Sequence, residues 1–337
     1  MFARCPDTYQ MLQAGQETSY TGRPLLPGWT ESVTHCVAMA GARASGKSLY
    51  LAVLVKQLEL LTRQRFPHHT FEAADDSTRS RYVEKYETPL YREMRHMAAT
   101  PRSGDPGAYQ KDPFIFSLGL WPAPDGQRRE HYLVIRDVAG EDLESPDPSG
   151  TDMEFFQYAD LVIFLFDPLK VPSIATYLRG LIPTQQQLGG NPEDAFRTTL
   201  HYIGQGRPKL AVTVSKFDTL QALNQLEDNQ WKQIMGNFGA AFRRDTGWNY
   251  SAMNQRVLHL EIESLLRLMD AHNLINAIER TYADTPGRHA YFAVSALGES
   301  PRGENLDRKG IAPYRVLDPL RWHLSEFGVF TDYTGAP

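Results

Sequence analysis

The sequence predicts an α/β domain in which helices cover both faces of a sheet. Short apolar runs alternate with segments of helical periodicity, and several of the runs are apolar throughout. Runs of this kind are typical of strands covered on both faces, and their alternation with helices favours a three-layer fold. Strands are predicted at residues 35–40, 114–120, 132–135, 161–166, 210–214 and 291–294.

The helical segments define the organisation of the chain. Residues 49–61 form the first predicted helix, and residues 77–97 are helical but highly charged. The stretch 220–282 is almost entirely helical and longer than one helix with its connections requires, which predicts a helical insert over about residues 219–270. Residues 312–327 are predicted to form a closing helix. Residues 1–34 are polar and rich in turn formers, so we expect an N-terminal extension before a domain at 35–330.

Composition narrows the class of protein. Of 337 residues, 42% are apolar and 22% charged, as in ordinary globular domains. The net charge of -5 lacks the basic surplus of nucleic-acid-binding proteins, so no nucleic-acid partner is expected. Two cysteines are too few for a disulfide framework, which favours the cytoplasm. We expect no membrane span, because the longest apolar run, residues 161–166, is far shorter than the ~20 residues of a span. We expect no signal peptide, because residues 1–10 contain no apolar h-region.

A phosphate-binding loop is predicted at residues 41–48. Their sequence, GARASGKS, matches G-x-x-x-x-G-K-[ST] and lies between a predicted strand and a predicted helix. Glycines allow the backbone to curl around phosphates, and the N–H groups at the helix start supply positive potential. Lys47 is expected to reach the outer phosphates, and the Ser48 hydroxyl to bind Mg²⁺. The predicted nucleotide contacts of the loop are Gly41, Ala44, Ser45, Gly46, Lys47, Ser48 and Leu49.

A D-x-x-G motif, residues 137–140, follows the predicted strand 132–135. An acid at the end of a strand beside the phosphate loop can hold Mg²⁺ through water, which is the role expected of Asp137. Gly140 is expected to offer its backbone N–H to the γ-phosphate. This motif alone is weak, because many proteins contain it.

Two further motifs at strand ends predict recognition of a guanine base. In the motif 215–218, which begins at Ser215, the Asp218 carboxylate could accept from guanine N1–H and the 2-amino group, and the Lys216 stem could lie along the base. The second motif is Ser295, Ala296 and Leu297, in which the Ala296 N–H could donate to guanine O6. Each is weak alone, but each stands at the carboxyl end of a predicted strand, where open α/β sheets bind ligands.

In this order, the motifs resemble those of the translation-factor-like GTPase superfamily, which includes Ras-like switches. The resemblance covers about residues 37–327, interrupted by the helical insert. It implies a G domain with a mixed, mostly parallel six-stranded sheet that binds GTP or GDP and Mg²⁺ at its carboxyl edge. It also implies a long helical first-switch region over about residues 65–112.

More narrowly, the chain resembles the bacterial double-GTPase families of conflict and defence gene clusters. The resemblance rests on the long first-switch insertion, on F-x-V-S-A-L-G at residues 292–298 and on D-P-L-x-W at residues 318–322.

Three residues depart from the Ras-like pattern. Ser215 stands where asparagine or threonine is preferred, which leaves guanine preference open against the alternative that Asp218 only caps the next helix. Glu141 replaces the water-positioning glutamine and adds negative charge beside the γ-phosphate, so slow intrinsic hydrolysis is expected. Arg43, inside the loop, is either an arginine finger in cis or a solvated side chain.

The first-switch threonine is expected between the phosphate-loop helix and the strand 114–120. Thr70, Thr78, Thr88 and Thr100 all qualify by position. Thr100 is the predicted Mg²⁺ ligand and catalytic residue, because it opens the turn-rich loop before that strand. The alternative is that Thr100 only ends the preceding helix, since Pro101 follows it.

The resulting hypothesis is a GTP-binding protein with Mg²⁺-dependent hydrolysis that acts as a switch on unidentified protein partners. One alternative is a nucleotide-gated scaffold that binds GTP with little hydrolysis, which Glu141 and Arg43 would support. Another is a P-loop ATPase in which the K-x-D pattern is coincidental. Homodimerisation across the nucleotide is left open, because no specific residue supports it.

Overall fold

The computed structural model describes residues 3–95, 112–144, 151–182, 190–227, 229–298 and 311–331. The strands are β1 Val33–Gly41, β2 Glu72–Ala73, β3 Phe114–Pro122, β4 Arg128–Asp137, β5 Leu161–Phe166, β6 Lys209–Val214 and β7 His289–Ala293. The α-helices are α1 Lys47–Arg65, α2 Asp76–Tyr82, α3 Gly140–Glu144, α4 Pro172–Leu178, α5 Pro192–Ile203, α6 Phe217–Gln221, α7 Gln230–Met235, α8 Ala252–Leu268, α9 His272–Thr281 and α10 Asp318–Leu324. A π-helix, Val83–Arg92, continues directly from α2.

The described strands form one sheet in the order β2-β3-β4-β1-β5-β6-β7. β4, β1, β5, β6 and β7 are mutually parallel, whereas β3 runs antiparallel to β4 and β2 antiparallel to β3. The mixed, mostly parallel α/β fold is confirmed, but the expected number of six strands is wrong. The seventh strand, β2, has two residues, which is too short for any periodicity to reveal it.

The parallel strands lie in the interior of the domain. β1, β5 and β6 are buried at every position. Because successive side chains of a strand point to opposite faces, this burial means that both faces of the sheet are covered. Because these strands run parallel, their carboxyl ends meet at one edge of the sheet. The loops that follow them are the natural place for a binding site.

The helical regions agree with the sequence pattern in type but not in every boundary. The stretch predicted as an insert contains α6, α7 and α8 with short 3₁₀ turns between them. The closing helix is shorter than predicted, because Arg315 has a φ of 52°, which an α-helix cannot include. Within the described part of the chain, no helix is both long enough and apolar enough to cross a bilayer.

The N-terminal segment packs on the domain. Tyr9 is fully buried and its hydroxyl donates to the Val37 carbonyl of β1 at 2.9 Å. Arg4 pairs with Asp160 at 3.1 Å, and the Trp29 ring stacks on Tyr132 with centroids 4.7 Å apart. The polar composition of residues 1–34 gives no sign of this packing, and the domain boundary at residue 34 stays a proposal.

Candidate nucleotide-binding site

The phosphate loop connects β1 to α1 at the centre of the carboxyl edge. The backbone has positive φ at Ala44 (61°) and Gly46 (92°), a combination that turns successive N–H groups toward one side of a loop. Gly41 must be glycine, because a Cβ atom there would stand 2.6 Å from the Leu165 carbonyl oxygen and 2.8 Å from the Ser45 hydroxyl. Leu49, also predicted to contact nucleotide, lies in the first turn of α1. The loop thus has the backbone shape of an anion cradle at a helix start.

Lys47 lies inside this loop. Its ammonium group donates to the carbonyl oxygens of Gly41 at 2.7 Å and Ala42 at 3.0 Å, and the side chain is almost fully buried. Burial lowers the pKa of Lys47 to about 8, an effect that the carboxylates of Asp137 and Glu144 oppose. A bound anion would favour the charged form further. The loop carbonyls therefore hold the cation in place for a phosphate.

Ser48 and Asp137 come together where the sequence predicts a metal site. The Ser48 hydroxyl donates to Asp137 Oδ2 at 2.9 Å, and Asp137 is 3% exposed. One hydroxyl and one carboxylate beside a phosphate loop fit Mg²⁺, which proteins bind through few oxygen ligands together with substrate phosphates. These two side chains are the ones that would hold the ion.

The loop and helix α3 are packed against each other. A Cβ atom on Gly140 would stand 2.3 Å from the backbone nitrogen of Arg43, so no other residue fits at this position. The Arg43 guanidinium pairs with Glu141 at 2.9 Å, and the Arg43 backbone N–H donates to the Glu144 carboxylate. The two residues that depart most from the Ras-like pattern, Arg43 and Glu141, therefore form one ion pair.

The base-recognition motifs also meet at this edge. The Ser295 hydroxyl donates to Asp218 Oδ1 at 2.6 Å and accepts from the backbone of Gly298 at 2.9 Å. Asp218 is not the N-cap residue of α6, because this helix begins at Phe217 and its N-cap is Lys216. Asp218 instead belongs to a cluster that joins the ends of β6 and β7.

Lys216 is held by an acid that the sequence analysis did not assign. The Lys216 backbone is left-handed, with a φ of 50°, and its ammonium group pairs with Asp167 Oδ2 at 2.7 Å. Asp167 is 1% exposed and follows β5 directly, whereas Asp137 is the last residue of β4. The position of Asp167 directly after the apolar run 161–166 is the sequence signal that could have identified it as a site residue. The Ser215 hydroxyl donates to the Phe166 carbonyl at 3.2 Å. The Leu297 carbonyl accepts from the backbone N–H of Ala312 at 2.9 Å, and Ala296 is half-buried.

The predicted first-switch threonine, Thr100, lies outside the described residues. The Thr78 hydroxyl accepts from the Ile115 backbone at 3.0 Å, which joins α2 to β3 rather than to the phosphate loop. Tyr86 of the π-helix reaches the site instead, with its hydroxyl 3.1 Å from Asp137 Oδ2. No sequence signal distinguished Tyr86 or Glu144, because their roles depend on tertiary placement.

The fold and the site together define a P-loop protein of the G-domain type. The chain belongs to the Double-GTPase 2 family, whose model matches residues 35–271. The chain is also similar to a Mycolicibacterium smegmatis protein whose provisional name is ESX-1 scaffolding and assembly protein SaeC. The two are 44% identical over 307 residues, which cover 90% of this chain and 78% of that protein.

Proposed function

We propose that this protein binds GTP and GDP with Mg²⁺ and that the bound nucleotide controls its contacts with protein partners. The observation that carries the proposal is the 2.6 Å hydrogen bond between Ser295 and Asp218. It joins the two motifs that would read a guanine base, on the same sheet edge as the phosphate loop. Membership of a GTPase family supports the same conclusion.

Each group has a role that follows from its position. The loop N–H groups and Lys47 bind the phosphates, and Asp218 accepts from the guanine N1–H and 2-amino groups. Mg²⁺, held by Ser48 and Asp137, supplies charge neutralisation beside the phosphates. Lys216 is kept in place by Asp167, which leaves its stem free to lie along the base.

Hydrolysis is the slower part of this function. Glu141 can accept a hydrogen bond from the attacking water, and Arg43 offsets its negative charge through their ion pair. While that pair is closed, the Arg43 guanidinium and the Glu141 carboxylate are engaged with each other. We infer slow intrinsic turnover that rises when the pair opens.

A competition titration tests the binding proposal. Purified protein with Mg²⁺ is titrated with N-methylanthraniloyl-GTP and then with unlabelled GTP or ATP. We expect GTP to displace the probe at least about tenfold better than ATP, since adenine lacks the N1–H and 2-amino donors and a lost hydrogen bond to a charged group costs on the order of 1.5–3 kcal/mol. Asp218→Asn should lose this preference, whereas Asp125→Asn, in the β3–β4 turn, should keep it. Equal displacement by ATP in the wild type would contradict guanine recognition.

A nucleotide-gated scaffold is the second candidate function. It is favoured by the Arg43–Glu141 pair and by the name of the similar mycobacterial protein. Single-turnover hydrolysis of bound GTP separates the two candidates. For the switch, Glu141→Gln should change the hydrolysis rate by more than its effect on GTP affinity. Tight GTP binding without hydrolysis in the wild type and in Glu141→Gln would favour the scaffold.

A further inference from the structure

Tyr86 lies inside the predicted first-switch region and yet contacts the metal-site acid. It is fully buried, on the π-helix Val83–Arg92 that precedes β3. Its hydroxyl donates to Asp137 Oδ2 at 3.1 Å, and the Ser48 hydroxyl donates to the same oxygen at 2.9 Å. One carboxylate oxygen therefore joins the phosphate-loop helix, the end of β4 and the segment between α1 and β3.

The Tyr86 ring is fixed by its neighbours. It stacks on Tyr82, with centroids 6.1 Å apart, and meets the edge of Phe114 at 5.3 Å and an interplanar angle of 87°. These two ring contacts limit the positions that the Tyr86 hydroxyl can take, so its bond to Asp137 constrains the carboxylate. The Tyr82 hydroxyl has a different partner, the Ala52 carbonyl of α1, to which it donates at 2.9 Å.

The helix that carries Tyr86 has an unusual backbone. Glu93 donates its N–H to the Thr88 carbonyl, five residues earlier, and Pro89 within the helix has no N–H to donate. Wide helical turns of this kind often occur at functional sites and cost stability relative to an α-helix. Elements that respond to a ligand are drawn from the less stable parts of a structure.

We propose that Tyr86 is a positioning residue that aims the Asp137 carboxylate at the Mg²⁺ site and reports the state of that site to the helix Val83–Arg92. This inference rests on the proposed function. A hydroxyl that donates to a metal-site carboxylate holds it in the orientation that the metal needs, and losing such a partner typically weakens metal binding about 10–100-fold. The same bond links the helix Val83–Arg92 to whether the site is filled.

The test uses Tyr86→Phe, which removes one oxygen and keeps the ring. N-methylanthraniloyl-GDP binding is measured across a Mg²⁺ titration and in EDTA. We expect the Mg²⁺ concentration that gives half of the maximal increase in nucleotide affinity to rise about tenfold in the variant. Its nucleotide affinity in EDTA should stay within about twofold of that of the wild type. Tyr82→Phe is the matched control, because it removes a hydroxyl from the same ring pair that does not touch Asp137, and its Mg²⁺ midpoint should not move.

Hydrogen exchange gives a readout that is independent of affinity. In the wild type, the amides of residues 83–92 should exchange more slowly when Mg²⁺ and GDP are added, and Tyr86→Phe should lose this protection. An unchanged Mg²⁺ midpoint in Tyr86→Phe, or an equal shift in Tyr82→Phe, overturns the positioning role while leaving nucleotide binding intact. If the wild type binds no nucleotide, the proposed function itself fails and the inference fails with it.

Discussion

At the scale of single residues, the burial of Lys47 disfavours its charged form. The protein buries it against two backbone carbonyls, and the burial lowers its pKa to about 8 although Asp137 and Glu144 favour the charged form. A phosphate requires the protonated amine. The free protein loses that proton as the pH rises through about 8, so nucleotide binding must then supply the free energy of protonation.

GTP affinity should therefore fall above pH 8. Below that pH the lysine is already charged and affinity should be level, whereas well above it affinity should decrease by about tenfold per pH unit. Fluorescence titrations between pH 7 and 9.5 measure this dependence. Lys47→Arg is the control, since arginine stays charged throughout and only the guanine's own ionisation would then remain. The same slope in both proteins would assign the effect to the ligand.

Sequence motifs predicted much of the candidate site, because the motif residues lie at the ends of strands. Gly41, Lys47 and Ser48 belong to one continuous motif, and Asp137 and Asp218 each follow an apolar strand. Contacts between remote segments could not be predicted in this way. The pairing of Arg43 with Glu141 and that of Asp167 with Lys216 depend on how close two loops stand, and sequence spacing contains no such distance.

At the scale of elements, helix α3 covers part of the phosphate loop. Glu144, the last residue of α3, accepts from the Arg43 N–H, and its charge also acts on Lys47. A carboxylate in this position occupies a donor that a phosphate could use and repels the phosphate's charge. Helix α3 must therefore move, or the negative charge of Glu144 must be offset, when a triphosphate binds.

Neutralising Glu144 should strengthen nucleotide binding. We expect Glu144→Gln to raise GTP affinity by about tenfold, or about 1.4 kcal/mol, because the substitution removes the repulsion between this carboxylate and the phosphates. Equilibrium titrations at two salt concentrations measure it, and the gain should shrink at high salt. Asp284→Asn makes the same charge change just before β7, at the other edge of the sheet. Equal gains in both variants would indicate a general charge effect.

Among the elements, strands were easier to predict than helices. Six apolar runs correspond to six strands, because burial on both faces leaves a continuous apolar signal. The two-residue β2 carries no such signal. Residues 77–97 read as helical, and helices cover Asp76–Tyr82 and Val83–Arg92, but periodicity could not reveal the π hydrogen bonding.

At the scale of the whole molecule, three buried histidines join separate parts of the chain. His35 of β1 hydrogen-bonds His323 of α10 at 3.1 Å and His131 of β4 at 3.0 Å. Burial lowers the pKa of all three: well below the ordinary value for His35, to about 4 for His131 and to about 3 for His323. For His323, the nearby charges of Lys209, Arg288 and Arg4 act in the same direction.

These histidines should make the protein sensitive to acid. In the unfolded chain they bind protons below about pH 6.5, whereas the folded protein keeps them neutral, so stability falls as the pH falls below 6.5. Each contributes a slope of about 1.4 kcal/mol per pH unit until its folded-state pKa is reached. Urea unfolding at pH 7, 6 and 5 measures the slope. The dependence of unfolding free energy on pH should become shallower in His131→Gln by the slope of one histidine, about 1.4 kcal/mol per pH unit. It should stay the same in His272→Gln, at the exposed start of α9. An unchanged slope in His131→Gln would contradict the neutral cluster.

The Tyr9 contact also makes the protein sensitive to proteolysis just before β1. The ring lies against Phe155 and its hydroxyl reaches the Val37 carbonyl, in the strand whose far end becomes the phosphate loop. A protease that clips the polypeptide just before β1 would remove a core aromatic without touching any residue that meets nucleotide. The trimmed protein should melt at a lower temperature and release its nucleotide sooner, so proteolytic nicking at the amino terminus would act as an irreversible way of inactivating the site.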